Sequence, residues 1–121
     1  MTNIALDVMG GDNCPDINID GAYDALNMLK DIHIKLVGPE ERIEKAIASW
    51  DKSLKDRVTI VDANEVISTE ESPVKALRAK PDSSIVRGLK LVKEGEADAF
   101  ISAGSTGAIL AGGQLIVGRL K

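Results

Sequence analysis

A mainly parallel β-sheet flanked by helices is the fold class this sequence predicts, and three observations predict it. Short apolar runs alternate with amphipathic helical stretches in a βαβα rhythm. The 121 residues are 44% hydrophobic, yet only Tyr23, Trp50 and Phe100 are aromatic, so the core is aliphatic, as suits helices packed on a parallel sheet. Finally, the first and last apolar runs each end in a glycine-rich turn, at residues 7–12 and 102–107. In an open α/β sheet such turns sit at the carboxyl ends of strands, where ligands bind.

The elements follow in order. Residues 4–8 read as a buried first strand. Pro15 opens the first helix from a first-turn position, with Ile17, Ala22, Ala25, Leu26 and Leu29 on its inner side. Residues 32–37 alternate and stop at Gly38-Pro39, giving a second strand. Residues 40–50 form a second helix with Ile43, Ala46, Ile47 and Trp50 inward and acids in its first turn, where they favour the helix dipole. Residues 58–61 are the third strand, and the acidic stretch 62–72 has no period and reads as a loop. A short helix over 73–79 precedes a break at Pro81. Asp82 or Ser83 caps the next helix, which runs to about Glu94 and stops at Gly95. Its inward residues are Ile85, Val86, Leu89 and Val92. Residues 97–102 are the fourth strand. The closing helix, 106–120, is apolar on nearly every side and must be covered on every side. Four strands and a few helices offer too little cover for it. The chain therefore reads as the N-terminal piece of a longer protein, or as one that buries this helix in a dimer.

Composition narrows the function. The net charge of −4 argues against nucleic acid as the main partner. Residues 73–93 nevertheless carry six cations and one acid, a local +5 against −9 elsewhere. That segment is either a solvated helix face or a docking surface for an acidic partner or an anionic substrate. The single cysteine, Cys14, allows no internal disulfide, and the expected location is the cytoplasm. No signal peptide and no membrane span are read from the sequence.

The two turns carry the candidate chemistry. Gly10, Gly11 and Asp12 let the backbone lie against a ligand and offer one carboxylate, or they form a tight turn with Asp12 capping the first helix. Ser102, Gly104, Ser105, Thr106 and Gly107 combine hydroxyls, glycines and a helix start, which suits a phosphate-like anion. Their alternative is a Ser/Thr cap on a buried helix. The lysine and spacing of a Walker-type loop are absent. Cys14 heads a helix but has no histidine near it in sequence to activate it. His33, the one histidine, alternates with Ile32 and Ile34 and is expected at the surface beside Lys35. No Cys/His spacing matches zinc, and neither a metal nor a cofactor is expected.

Three blocks of this sequence resemble one family. They are Ile4-Ala5-Leu6-Asp7-Val8-Met9-Gly10-Gly11-Asp12 with Pro15; Ser72-Pro73-Val74-Lys75-Ala76-Leu77-Arg78 with Ser83-Ser84; and Ile101-Ser102-Ala103-Gly104-Ser105-Thr106-Gly107-Ala108 with Gly118-Arg119. In this order they resemble the N-terminal portion of the bacterial phosphate acyltransferase of phospholipid synthesis. The resemblance implies a three-layer α/β/α fold of the isocitrate-dehydrogenase-like and phosphotransacetylase-like group, incomplete here. Residues 1–121 would form the N-terminal part of a single catalytic domain, about a third of the family's length. The implied reaction moves a fatty acyl group from acyl-acyl carrier protein to inorganic phosphate. The implied setting is a cytoplasmic homodimer associated peripherally with the membrane. Two positions depart from the family pattern: Asn13 stands where histidine is usual, and Ser105 where asparagine is usual.

Direct attack of phosphate on a thioester needs no covalent enzyme intermediate, so the protein's task is positioning and oxyanion stabilisation. Asp12 and Thr106 are the expected catalytic residues. Gly10, Gly11, Ser102, Gly104, Ser105, Gly107, Lys75 and Arg78 are the expected phosphate and substrate contacts. Three alternatives stay open: a phosphate acetyl- or butyryltransferase using coenzyme A, a non-catalytic phosphometabolite-binding fragment, and a purely structural dimerisation fragment. The 121-residue piece alone is expected to be inactive.

Overall fold

A computed structural model describes residues 1–11, 14–68, 70–104 and 106–118, with the side chains of Thr106, Gln114 and Leu115 also outside the description. The strands are β1 (Thr2–Asp7), β2 (Ile32–Gly38), β3 (Val58–Asp62) and β4 (Ala99–Ile101). The helices are α1 (Asp16–Met28), α2 (Glu40–Ile47), α3 (Lys52–Lys55), α4 (Pro73–Ala79), α5 (Ser84–Lys93) and α6 (Thr106–Gly112), the last continued by a π-helical turn, Gly113–Val117.

All strand pairs are parallel, in the order β3-β2-β1-β4. From β1 the chain builds one way through β2 and β3, then returns to β1's other side with β4. The order reverses between β1 and β4, which makes their carboxyl ends the switch point of the sheet. Ile4 pairs with Ala99 and Leu6 with Ile101, so the next residues, Asp7 and Ser102, emerge side by side.

Strand alternation sorts the two faces. Ile32, Ile34 and Leu36 pack with Ile19, Leu26, Ile43, Ile47 and Leu54, covering one face with α1, α2 and α3. Ala5 and Val37 pack with Ala63, Leu91 and Ala97 on the α5 face. A further cluster of Ile67, Leu77, Ile85, Val86, Leu89 and Ala108 joins α4, α5 and α6. The layered α/β/α fold class expected from the sequence is therefore observed.

Several elements differ from expectation. The second helix ends at Ile47, and the polar exit winds into α3, whose amides on Leu54 and Lys55 donate to the Asp51 carbonyl. In α1 the inward residues are Ile19, Ala22 and Leu26, while Ile17 and Leu29 are more than half exposed. Pro15 takes the position before the helix rather than inside it. β4 has only three residues. The closing helix is short: the pair Gly112-Gly113 weakens α-helical winding, the π-turn follows, and Gly118 at φ 100° ends it. It is not wrapped on all sides either, since Leu110 is 66% exposed.

The stretch 62–72 is tied down despite its lack of period. Ile67 is buried within the α4–α5–α6 cluster. Ser83 caps α5, its hydroxyl accepting the Val86 N–H, which leaves Asp82 for the loop. The Asp82 carboxylate accepts the Asn64 backbone N–H at 3.1 Å and pairs with Arg87 at 2.9 Å. Glu71 pairs with Lys80 at 2.8 Å and accepts the Ser68 N–H. At the far end of the sheet, the Arg57 guanidinium donates to the carbonyls of Leu26, Leu29 and Ile32, tying the end of α1 to the start of β2.

The hydrogen bond from Asn64, with that from Arg87 behind it, holds the Asp82 carboxyl below its ordinary value of 3.8. A carboxyl lowered in the fold stabilises at pH above its unfolded value and loses that contribution as pH falls through the folded one. In urea titrations the stability gap between the parent and Asp82→Asn should be constant well above pH 3.8 and shrink as the pH falls past it. A gap that ignores pH would show that the Asp82 charge does not hold the loop.

Candidate functional site: the crevice between the first and last strands

The site forms where β1 and β4 end. Asp7 shares the side of the sheet occupied by Ala5, and Ser102 that occupied by Phe100; Ala5 and Phe100 are register partners, so Asp7 and Ser102 meet. Asp7 is 2% exposed, and both of its oxygens are satisfied. Oδ1 accepts the Met9 N–H at 2.9 Å, and Oδ2 accepts the Ser102 hydroxyl proton at 2.7 Å. Ser102 Oγ in turn accepts the Gly104 N–H at 3.0 Å. A buried carboxylate without such donors would be strongly destabilising, so this chain of bonds fixes both turns together.

The turns touch backbone to backbone. A Cβ on Gly10 would lie 2.7 Å from the Gly104 nitrogen and 3.0 Å from Ser102 Oγ. Gly11 has φ +87°, a left-handed turn that glycine adopts freely, and its α-carbon faces the Ala103 methyl. On the other side of the first turn, Asn18 Nδ2 donates to the carbonyls of Val8 at 2.9 Å and Gly10 at 2.7 Å. Asn18 lies in the opening of α1, so the helix braces the turn that precedes it.

Of the residues expected at the site, Gly10, Gly11, Ser102 and Gly104 are brought into one crevice. Gly107, in the first turn of α6, meets a different neighbour: a Cβ there would lie 2.8 Å from Pro73 Cγ, so α4 and α6 start side by side. Lys75 and Arg78 are exposed on α4. Asp12 and Ser105 lie outside the described residues, as does Asn13, and so does the side chain of Thr106. Cys14 is partly buried. His33 is half-buried, its Nε2 lying 2.7 Å from Thr59 Oγ1. Desolvation, then Lys35 and Arg57, lower its pKa, and it stands on β2 away from the crevice.

Asp7 and Asn18 are the two residues whose part the sequence reading missed. Asp7 was visible as an acid closing an apolar strand, a position where burial demands a partner. Asn18 gave no comparable signal, because an amide in a first helical turn usually faces water.

Two apolar grooves flank β4. One, of about 330 Å³, runs along α1 and is lined by Ile4, Leu6, Ile17, Asn18 and Ile101 among others. The other, of about 460 Å³, lies between α5 and α6 and includes Leu89, Phe100, Ile109 and Val117. Ile101 is 53% exposed at the edge of the first. Among the described residues no cluster of three His, Cys, Asp or Glu side chains could hold a metal ion, and no helix is long and apolar enough to cross a membrane.

Gly10→Ala should push the turns apart and cost about 1–3 kcal/mol of stability, because the new methyl meets backbone atoms that cannot rotate away. Gly21→Ala, in the exposed middle of α1 with nothing within 4 Å, should instead stabilise by about 0.5–1 kcal/mol. Urea unfolding of the pair checks the contrast. Equal effects would mean that the turns do not pack as described.

Comparison with known proteins places the chain in a family. The chain is 52% identical over 118 residues to a phosphate acyltransferase of Clostridium botulinum, covering 98% of this chain and 35% of that protein. It is 54% identical over 118 residues to a phosphate acyltransferase of Clostridium beijerinckii, with the same coverage. It is 47% identical over 121 residues to one from Streptococcus uberis, covering 100% of this chain and 35% of that protein. The chain thus spans about a third of the length of the curated relatives it matches. The profile of the family described as "Fatty acid synthesis protein" matches residues 2–121, and the chain belongs to that family.

Proposed function

We propose that this chain is the N-terminal part of the catalytic domain of an enzyme that transfers a fatty acyl group from acyl-acyl carrier protein to inorganic phosphate. The observation that carries the reading is the backbone contact between two glycine turns at the carboxyl ends of β1 and β4, where an open α/β sheet binds its ligand. The names of the relatives support phosphate as acyl acceptor. The family description supports a fatty acyl group.

The reaction balances without a covalent enzyme intermediate. An oxygen of hydrogen phosphate attacks the thioester carbonyl, a C–O bond forms and the C–S bond breaks. The electron pair leaves on sulfur, and the carrier thiol gains the proton that phosphate gives up. The protein's part is to hold phosphate against the carbonyl and to stabilise the oxyanion. Gly10, Gly11 and Gly104 bring backbone to the anion, Gly107 seats the start of α6 against Pro73 beside them, and Ser105 and Thr106 supply hydroxyls. Asp12 orients the reactants from the opposite lip, with Lys75 and Arg78 balancing charge. The groove beside Ile101 is apolar and adjoins the crevice through Asn18, which suits an acyl chain. No metal or cofactor takes part in this reading. The protein works as a cytoplasmic homodimer with peripheral membrane association.

The acidic carrier is expected to dock on α4 and α5, where Lys75, Arg78, Arg87, Lys90 and Lys93 are all exposed. Of these, Arg87 is paired with Asp82.

The test incubates the longest gene product carrying this sequence, and the 121-residue chain beside it, with phosphate and palmitoyl-acyl carrier protein, with acetyl-coenzyme A in parallel. Phosphate-dependent loss of the carrier thioester by the long form alone is the expected result. Turnover of coenzyme A esters only would assign a phosphate acetyltransferase, and no turnover of either would leave a binding role. Charge reversal at Lys90 and Lys93 should raise the carrier KM severalfold at low salt and matter less at high salt, with kcat nearly unchanged. An unchanged KM would remove the docking surface.

A further inference from the structure

Ser102 joins the two turns through both its proton and a lone pair. A serine hydroxyl has one proton and two lone pairs. The Ser102 proton is committed to Asp7 Oδ2 at 2.7 Å, because a carboxylate can only accept. One lone pair takes the Gly104 N–H at 3.0 Å. Among the described residues nothing else bonds to Ser102, so what they leave is one acceptor, with the buried Asp7 carboxyl behind it.

We propose that Asp7 is a positioning residue which turns Ser102 into a hydrogen-bond acceptor, making the crevice selective for an oxyanion that still carries a proton. The inference rests on the reading above that the crevice receives phosphate, and it deepens that reading. Hydrogen phosphate brings a P–OH to the waiting lone pair. Sulfate has the same tetrahedral shape but no proton at neutral pH, so its oxygen would face an acceptor and a carboxylate. Sites built around one hydrogen bond reject the analogue lacking it strongly, because the buried partner is left unpaired. The arrangement also gives the buried acid a part beside an anion site: it fixes the direction of one hydroxyl.

The experiment measures phosphate and sulfate binding by calorimetry to the longest gene product, without acyl donor, and phosphate KM and sulfate inhibition in the transfer assay. The parent should bind sulfate at least about tenfold more weakly than phosphate. Asp7→Asn puts an amide N–H within reach of Ser102 Oγ and frees the serine proton for the ligand. The phosphate-to-sulfate ratio should then fall to within about threefold, mostly by a gain in sulfate binding, a gain that a merely damaged site would not show. Ser102→Ala should weaken phosphate about tenfold without weakening sulfate. A thermal melt confirms that each variant is folded. If Asp7→Asn does not fold, Ser102→Ala decides: equal loss for both anions overturns the proposal. A parent that binds both anions alike, or a folded Asp7→Asn with the parental ratio, overturns it as well. Selectivity without acyl transfer would remove the transferase reading and keep this one. Acyl transfer with sulfate inhibiting as tightly as phosphate binds would do the reverse.

Discussion

The hydrogen bond between the buried Asp7 carboxylate and the Ser102 hydroxyl is the constraint on which the rest of the crevice depends. It joins positions 95 residues apart in sequence, at the ends of two strands that pair through only three register partners. A carboxylate at 2% exposure must be supplied with donors or be lost from the interior, so β1 and β4 cannot separate or slip without stranding it. Once it is fixed, Ser102 fixes Gly104, and Gly104 sets how closely the second turn approaches Gly10.

That approach explains where side chains are missing. Gly10 faces backbone atoms across the crevice, and Gly107 faces Pro73, so the start of α6 is set against the start of α4. Behind the site the same economy seats α5 on the sheet: Gly88 lies flat on the Phe100 ring, where a Cβ would come within 2.1 Å. Interiors are close-packed, so such contacts transmit position from the helix layer to the strand ends. The crevice owes its shape to packing as much as to its own hydrogen bonds.

The open flank of β4 completes the arrangement. Both sides of this short strand carry apolar grooves, and Ile17, Ile101 and Leu110 are all more than half exposed beside them. The proposed chemistry uses one of the grooves, next to Ile101 and Asn18, as the apolar side of a site whose polar side is the turn crevice.

The sequence by itself determined the strands, a mainly parallel layering, the glycine turns and the family, because each is written in local signals: short apolar runs alternating with amphipathic stretches, and the blocks 4–12 and 101–108. It also suggested that the two glycine turns act together, because both close strands whose carboxyl ends face the ligand side of such a sheet. Only the tertiary structure decided the phase of α1, the break of the last helix at Gly112-Gly113 and the anchoring of the aperiodic loop by Asp82. It alone decided the pairing of Asp7 with Ser102 and the bracing by Asn18. Periodicity reports how a residue sits on its own element. Which donor meets a buried acid depends on register between strands far apart in the chain, and that is settled only when the sheet closes around it.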